Sequence, residues 1–298
     1  MRRPGPHALA AIALLITSCA CFSVLDTTAK YTTAWVPLLM ALWFRYAFQA
    51  VATTLVMLPV RGIRVLRTRH LPFQCLRGVL LVASSLLAFT SLKYMPVGEF
   101  TAIVMISPLA ITVLAATVLK EKVSALRWVL VVGGFAGTLV IIRPGAETFN
   151  WTSLMPLGLV CTGACFQVLT SKMARTEDPV TMHLYTGWVG ALLASLALPF
   201  VWIQLGEARL WLALILMGAM GTIGHFLLIL AYQRAPAATL TPYLYMQIAF
   251  AMLGGWLVFR HVPDRWSLIG MAMIAACGAA GAWLTVRESR TASEPTPA

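Results

Sequence analysis

Apolar stretches of about 20 residues recur along the whole chain, and they limit its possible folds more than any other feature. The chain has 298 residues, of which 60% are hydrophobic and 11% are charged, whereas soluble domains carry about 25% charged residues. One helical span of a bilayer core takes about 20 apolar residues. Strands of membrane barrels are shorter and alternate in polarity, and backbone groups in lipid must be hydrogen-bonded within the segment. The sequence therefore predicts an all-α integral membrane fold.

Hydropathy, together with the positions of proline, glycine and charged residues, predicts ten transmembrane helices joined by short loops. The predicted spans cover residues 8–30, 36–60, 72–94, 97–120, 125–143, 151–174, 180–203, 210–232, 236–259 and 264–287. Arg2 and Arg3 before the first apolar run resemble the start of a secretory signal. We interpret this segment as the first span instead, because part of it is copied later in the chain.

The distribution of lysine and arginine predicts the orientation, since these residues are retained on the cytoplasmic side of the membrane. With the N-terminus inside, fifteen of the 22 lysines and arginines fall on the cytoplasmic side and six on the opposite side. Arg45 alone is expected well inside a span. We therefore predict that both termini are cytoplasmic.

Two segments near the start of each half resemble each other. Ala20–Leu25 (ACFSVL) recurs as Ala164–Leu169 (ACFQVL), and Pro37–Leu42 recurs as Pro179–Leu184. Further on, glycine, proline and threonine recur at a constant offset of 140 residues. Each half therefore has five spans, and because five is odd the second half enters the membrane upside down. Inverted repeats of this kind are a recurring transporter architecture, with the substrate site between the halves.

This repeat predicts the organisation of the chain. We expect two inverted five-helix repeats and a short cytoplasmic tail, at residues 1–147, 148–288 and 289–298.

One succession of short motifs resembles a known superfamily. Tyr94–Ala102 (YMPVGEFTA) is followed by Ser107–Leu109 (SPL) and by Lys120–Val123 (KEKV) before Trp128. This order is similar to that of the drug/metabolite transporter superfamily, specifically its ten-helix EamA-type members. Arg260–Pro263 departs from the family, which usually carries Gly-Glu before a similar turn.

A second set of residues resembles a subgroup of that superfamily that includes bacterial riboflavin transporters. The set lies in spans 1 and 2 and consists of Asp26, Lys30, Pro37, Trp43 and Arg45.

The resemblance implies a gradient-driven carrier of the bacterial inner membrane, often an exporter of amino acids, metallophores or other metabolites. We therefore expect a secondary transporter that exports a small organic metabolite by alternating access, as a monomer or a homodimer. The alternative is an importer of riboflavin or a similar flat aromatic metabolite. A membrane-embedded enzyme is a weaker alternative, because the five histidines and ten acidic residues are scattered and an enzyme needs them clustered.

Other partner classes do not fit the pattern. The net charge of +12 does not indicate nucleic-acid binding, because the cations sit between apolar runs rather than on one polar face. The six cysteines lie in apolar segments without a Cys-x-x-Cys pair, so we expect packing residues rather than a metal site. There is no Gly-rich phosphate loop, and no cofactor is expected.

Ionisable residues within or beside predicted spans are candidates for substrate binding or coupling, because such groups are costly in lipid unless they are paired or in water. Arg45 or Lys30 is expected to meet a substrate carboxylate, with Asp26 as counter-ion or proton carrier, and Glu99 flanks the adjoining turn. A structural ion-pair network is the alternative. His225, which corresponds to Ser85 in the first half, is the one histidine expected deep in a span, and it either joins helices or couples protons.

Aromatic residues repeat in position between the halves. Trp43 corresponds to Tyr185 and Tyr46 to Trp188, one helical turn apart in both copies. Residues at i and i+3 share a helix face, so these four side chains are candidates for the walls of a substrate cavity. An interfacial belt is the alternative.

Span 9 adds three polar candidates beside a proline. They are Tyr243, Tyr245 and Gln247, which follow Pro242, and we expect them to line the same cavity.

Overall fold

The computed structural model describes residues 6–95, 97–121, 123–142, 154–260 and 265–291. Throughout these residues the regular secondary structure is α-helical, apart from one 3-10 turn at Gly62–Leu66, and it includes no strand. The all-α prediction is confirmed for this part of the chain.

The helices fall into two groups that match the halves of the sequence. The first group is α1 (Pro6–Thr33), α2 (Leu38–Arg61), α3 (Leu71–Tyr94), α4 (Val97–Val104), α5 (Ser107–Thr117) and α6 (Ala125–Ile142). The second group is α7 (Leu154–Met173), α8 (Pro179–Ser195), α9 (Leu198–Val201), α10 (Ala208–Arg234), α11 (Ala237–Leu244), α12 (Met246–Phe259) and α13 (Arg265–Thr291).

Six segments within the described ranges are long and apolar enough to cross a bilayer. They are Leu9–Thr33, Leu38–Leu66, Leu71–Tyr94, Leu154–Met173, Ala208–Arg234 and Ala237–Phe259. Shorter apolar helices lie at Ser107–Thr117, Ala125–Gly137 and Leu268–Gly281, within three more of the predicted spans. The chain is a multi-pass membrane protein, and the count of ten spans stays a prediction.

Two predicted spans are interrupted at prolines. Span 4 consists of α4 and α5, and α4 ends at Val104, four residues before Pro108. In span 7, α8 ends at Ser195, four residues before Pro199, so the predicted helix to residue 203 is too long. A proline ring clashes with the carbonyl four residues earlier and offers it no amide hydrogen, which accounts for both end points.

Span 9 is interrupted too, at Tyr245 between α11 and α12. Pro242 lies inside α11 and cannot donate to the carbonyl of Ala238. The hydroxyl of Thr241 donates to that carbonyl instead, at 3.2 Å. A side-chain hydroxyl therefore satisfies the backbone oxygen that the proline leaves free.

The helix layout repeats along the chain. α4 and α11 have the same length, and their bounds are 140 residues apart. Lys120 and Arg260, also 140 apart, both adopt the left-handed backbone conformation, with φ of 53° and 57°. The layout therefore supports two structural repeats, while their opposite orientation in the membrane stays a prediction.

Helix packing follows the same repeat. The most extensive contacts join α1 with α10, α3 with α7, α2 with α8 and α6 with α13. Under the repeat, the α1–α10 pair is the counterpart of the α7–α3 pair, and each of the other two pairs joins a helix to its own counterpart. The interior between the halves is therefore built from α1, α2, α3, α7, α8 and α10.

Candidate functional site

Arg45 is buried where α2 meets α3 and α10. Its side chain is 3% exposed. The guanidinium donates from Nη1 to Ser85 Oγ at 2.9 Å and from Nη2 to His225 Nε2 at 2.7 Å. The Tyr46 ring lies 4.5 Å from the Arg45 Cζ atom, and the Tyr46 hydroxyl is 2.9 Å from Ser85 Oγ. We call Arg45, Tyr46, Ser85 and His225 the Arg45 cluster.

Glycines at two positions let the neighbouring helices approach this cluster. A Cβ atom at Gly221 of α10 would lie 3.4 Å from Arg45 Nε and 2.7 Å from the Leu25 side chain. A Cβ atom at Gly190 of α8 would overlap the ring of Tyr46. The cluster therefore depends on close backbone contact across both halves of the chain.

The contact with Arg45 decides the protonation of His225. A guanidinium can only donate hydrogen bonds, so His225 Nε2 accepts and its Nδ1 atom carries the hydrogen. The ring of His225 lies 4.6 Å from that of Phe22 and 5.8 Å from that of Phe166. His225 is therefore a neutral donor held between aromatic rings.

Two donors of the cluster remain unused. Among the described residues, neither Arg45 Nε nor His225 Nδ1 has a hydrogen-bond partner. A buried donor without a partner carries a desolvation cost. The cluster is therefore suited to a ligand that supplies acceptor oxygens or nitrogens beside an aromatic surface.

Asp26 adds a carboxylate near the cluster. It is 6% exposed and lies within electrostatic range of Arg45. Its Oδ2 atom accepts from Gln247 Nε2 at 3.3 Å. The structure thus brings five of the sequence-predicted candidates from different spans into one region. They are Asp26, Arg45, Tyr46, His225 and Gln247.

A second buried cation corrects the expectation that Arg45 alone lies inside a span. Arg77, which had been counted with the cytoplasmic loops, is fully buried in α3. It donates to Thr170 Oγ1 at 3.0 Å, Gln74 Oε1 at 3.1 Å and the Met182 carbonyl at 3.2 Å. The guanidinium groups of Arg45 and Arg77 therefore both lie inside the helix bundle.

His183 likewise corrects the expectation that His225 is the one histidine deep in a span. It is 2% exposed in α8. Gln49 Nε2 is 3.3 Å from His183 Nδ1 and donates to the His183 carbonyl at 3.1 Å. The His183 Nε2 atom has no hydrogen-bond partner within the described part of the chain.

The four paired aromatics do not form one cavity in this structure. Only Tyr46 belongs to the Arg45 cluster. The Trp43 indole donates to Ser195 Oγ at 2.8 Å and borders an apolar groove of about 340 Å³ between α2 and α10. Trp188 is 40% exposed and donates to Thr54 Oγ1, and the Tyr185 hydroxyl donates to the Leu66 carbonyl.

The remaining candidates from spans 1 and 9 also lie apart from the cluster. Tyr245 is buried and donates to the Val131 carbonyl at 2.9 Å, and Tyr243 packs near Gly281 of α13. Lys30 donates to the carbonyls of Leu92 and Met95, at the end of α3. The side chain of Glu99 lies outside the described residues.

Several residues of the region were missed as candidates by sequence reasoning. They are Phe22, Gln49, Arg77, Phe166 and His183. The available signal was the repeat itself: Ser85 and His225 occupy corresponding positions, and both contact Arg45. The polar residues at this repeated position therefore both lie in the interior.

The chemistry of the region is that of binding. It offers N–H donors, ring faces and one carboxylate, and the described residues include no group of three or more histidine, cysteine or acidic side chains placed to hold a metal.

Comparison with known proteins agrees with this description. The profile of the EamA-like transporter family matches residues 9–143 and again residues 149–284. A riboflavin transporter of Vibrio cholerae is 31% identical over 90% of this chain and 91% of its own. An S-adenosylmethionine uptake transporter of Rickettsia bellii is 27% identical over 84% of this chain and 85% of its own. A pseudopaline exporter of Pseudomonas aeruginosa is 24% identical over 89% of this chain and 94% of its own.

A solved crystal structure has the same fold. It superposes with a TM-score of 0.78 at 20% identity and covers 94% of this chain and 98% of the other. This similarity supports the fold alone.

Proposed function

The chain belongs to the EamA-like transporter family, and on that premise we propose that it carries a flat, acceptor-rich metabolite of the riboflavin type across the bacterial inner membrane. The carrier is driven by gradients, works in the direction of uptake and forms no covalent intermediate. The observation on which this depends is the Arg45 cluster, in which two N–H donors that have no partner in the described part of the chain are buried beside aromatic rings.

The chemistry of the cluster supports this class of substrate. The ring system of riboflavin is planar and carries carbonyl oxygens and ring nitrogens that accept hydrogen bonds. Arg45 Nε and His225 Nδ1 would donate to such atoms, while Phe22 and Tyr46 offer ring surfaces beside them. Hydrogen bonds from a charged donor contribute about 1.5–3 kcal/mol each, and ring contacts add about 0.5–1.5 kcal/mol beyond area burial.

In an alternating-access carrier, the polar contacts at one end of the bundle would close that end to the substrate. Arg61 pairs with Asp178 at 2.9 Å, and Glu177 accepts from Thr68 Oγ1 and the Arg69 amide. These contacts join the α2–α3 loop to the α7–α8 turn. We call this the tied end. With both termini cytoplasmic, as predicted, the tied end would face the cytoplasm, and these contacts would hold that end closed.

Glu121 adds further contacts between helices at the tied end. It pairs with Arg175, and its Oε2 atom accepts from the Ala238 amide at 3.1 Å. The contact connects the turn after α5 to the start of α11, so it joins the two halves. Opening toward the cytoplasm requires that these contacts break.

Flux measured with purified protein in proteoliposomes tests the proposal. Riboflavin inside the vesicles should drive uptake of labelled riboflavin from outside, in a saturable way that unlabelled riboflavin inhibits. S-adenosylmethionine and an amino acid serve as competitors. If riboflavin neither exchanges nor competes while another compound does, the substrate class is wrong.

A carboxylate exporter is the second candidate function, and the burial of both Arg45 and Arg77 favours it. Among the described residues, Arg77 hydrogen-bonds only neutral acceptors, so an anionic substrate group would compensate its charge. The similarity to a pseudopaline exporter agrees with this candidate. Metabolite profiles inside and outside cells with and without the gene distinguish it from uptake, because an exporter lowers the internal level of its substrate.

A further inference from the structure

Arg77 is a fully buried cation that the proposed site does not use. It lies on α3 between α7 and α8. Its three hydrogen-bond acceptors are a hydroxyl, an amide oxygen and a backbone carbonyl, all of them neutral. Its Nη2 atom has no hydrogen-bond partner among the described residues. Burying a cation without a counter-charge is costly. Since the contacts of Arg77 in the described part of the chain include no anionic group, a purely structural role explains this residue poorly.

Arg77 and Arg45 lie at different depths in the same interior. Arg45 is sixteen residues before the end of α2 at Arg61, and Arg77 is six residues after the start of α3 at Leu71. Because α2 and α3 meet at the tied end, a rise of 1.5 Å per residue separates the two α-carbons in depth by about 15 Å. Arg77 is the nearer of the two to the tied end.

Aromatic and polar side chains connect the two arginines. The Phe166 ring lies 5.3 Å from the Arg77 Cζ atom and 5.8 Å from the ring of His225. His225 in turn contacts Arg45 at 2.7 Å. His183 follows Met182, whose carbonyl accepts from Arg77, and the His183 Nε2 atom has no partner within the described ranges. Donors and ring faces thus continue from one guanidinium to the other.

We propose that Arg77 is a second substrate-binding station, which takes an acceptor oxygen of the substrate after Arg45 releases it on the way to the tied end. This inference rests on the proposed function, because it assigns a further position on the same path. The class of ligand is a carbonyl or carboxylate oxygen carried by a planar metabolite. Phe166 provides the ring surface along which the substrate passes between the stations.

Side-specific kinetics test the proposal. Riboflavin flux is measured from each face of proteoliposomes of fixed orientation, for Arg77→Gln, Arg77→Lys and Arg45→Gln. We expect Arg77→Gln to raise KM at least tenfold from the face of the tied end and less than twofold from the opposite face. Arg45→Gln should show the reverse, and Arg77→Lys should lie between wild type and Arg77→Gln.

A matched control comes from Arg234, an exposed cation at the end of α10 that donates to the carbonyl of Leu230 in its own helix. Arg234→Gln lies at the same end of the bundle and should change KM less than twofold from either face. Melting temperatures in detergent accompany each variant. If Arg77→Gln does not fold, Arg77→Lys carries the test, since it keeps the charge.

The outcomes separate the two proposals. Equal KM changes from both faces for Arg77 variants, or a lower melting temperature with normal KM, would show a structural role and overturn the second station alone. Wild-type protein that moves no riboflavin would overturn the proposed function and this inference with it.

Discussion

Substitution of Arg45 is expected to abolish most transport without unfolding the protein. Arg45→Ala removes the guanidinium that contacts Ser85 and His225 and that faces the substrate through Nε. Ser85 and His225 lose a hydrogen-bond partner, at a cost of about 1–3 kcal/mol each, but the substitution also removes a buried charge from the interior, which offsets this cost. The variant should therefore reach the membrane in normal amounts.

The size of the effect follows from the contacts that the substrate would lose. The substrate would lose one hydrogen bond, from the charged Nε donor of Arg45, and such a bond is worth about 1.5–3 kcal/mol. At about 1.4 kcal/mol per tenfold, this predicts a loss of about 10- to 150-fold in the apparent affinity. Arg45→Lys should recover little of it, because an ammonium group has neither the planar fork nor the stacking surface that lies against Tyr46 at 4.5 Å.

Counterflow of riboflavin in proteoliposomes measures this loss, with the amount of reconstituted protein determined for each variant. Arg209→Gln is the control, because Arg209 is an exposed cation that pairs with Glu207 and surface pairs contribute about 0–1 kcal/mol. Wild-type kinetics in Arg45→Ala at normal protein level would refute the reasoning and remove Arg45 from the site.

Three further predictions concern closure, packing and topology. Glu121→Gln should weaken the contact with the Ala238 amide by about 1 kcal/mol and shift the population about fivefold toward opening at the tied end. An unchanged distance between spin labels on the turn after α5 and at the start of α11 would contradict this. Gly190→Ala places a methyl group against the ring of Tyr46 and should cost about 1–3 kcal/mol of stability, so an unchanged melting temperature in detergent would count against the packing described here. A reporter fused at Ala298 should be active on the cytoplasmic side, and an external signal there would refute the predicted orientation.

The membrane fold could be predicted from the sequence because lipid constrains the backbone strongly. Every backbone group in the hydrocarbon must be bonded within its own segment, so apolar stretches of sufficient length become helices whatever their neighbours are. The interruptions in spans 4 and 7 were predictable in principle from Pro108 and Pro199, since each helix stops four residues earlier. Hydropathy is averaged over such positions, and it therefore predicted continuous spans.

Only some members of the Arg45 cluster could be predicted from the sequence. Arg45 and His225 stood out as ionisable groups in apolar surroundings, but their contact depends on how α2 packs against α10, which no local pattern specifies. Arg77 was missed because it lies only about two turns into α3. At that depth the sequence does not distinguish a cation that reaches the interface from one that points into the bundle.

The paired aromatics were expected to face one cavity, but two residues on the same broad helix face can still point in different directions. Residues three apart differ by about 60° around a helix with 3.6 residues per turn, so one can face the interior while the other faces outward. Tyr46 is fully buried against Gly190, whereas Trp43 packs beside Trp202 and Trp211 at the apolar groove. In this structure the repeated pair therefore does not place both of its rings on the interior face.

The central claim is that the Arg45 cluster binds the substrate, and protection of a cysteine within it is the most direct test. In a background without the six native cysteines, Ser85→Cys is labelled with a small thiol reagent in the presence and absence of riboflavin. Trp188→Cys, outside the cluster, is the matched control. We predict that riboflavin slows labelling at position 85 in a saturable way and leaves position 188 unchanged. Equal labelling at position 85 with and without riboflavin would contradict the account.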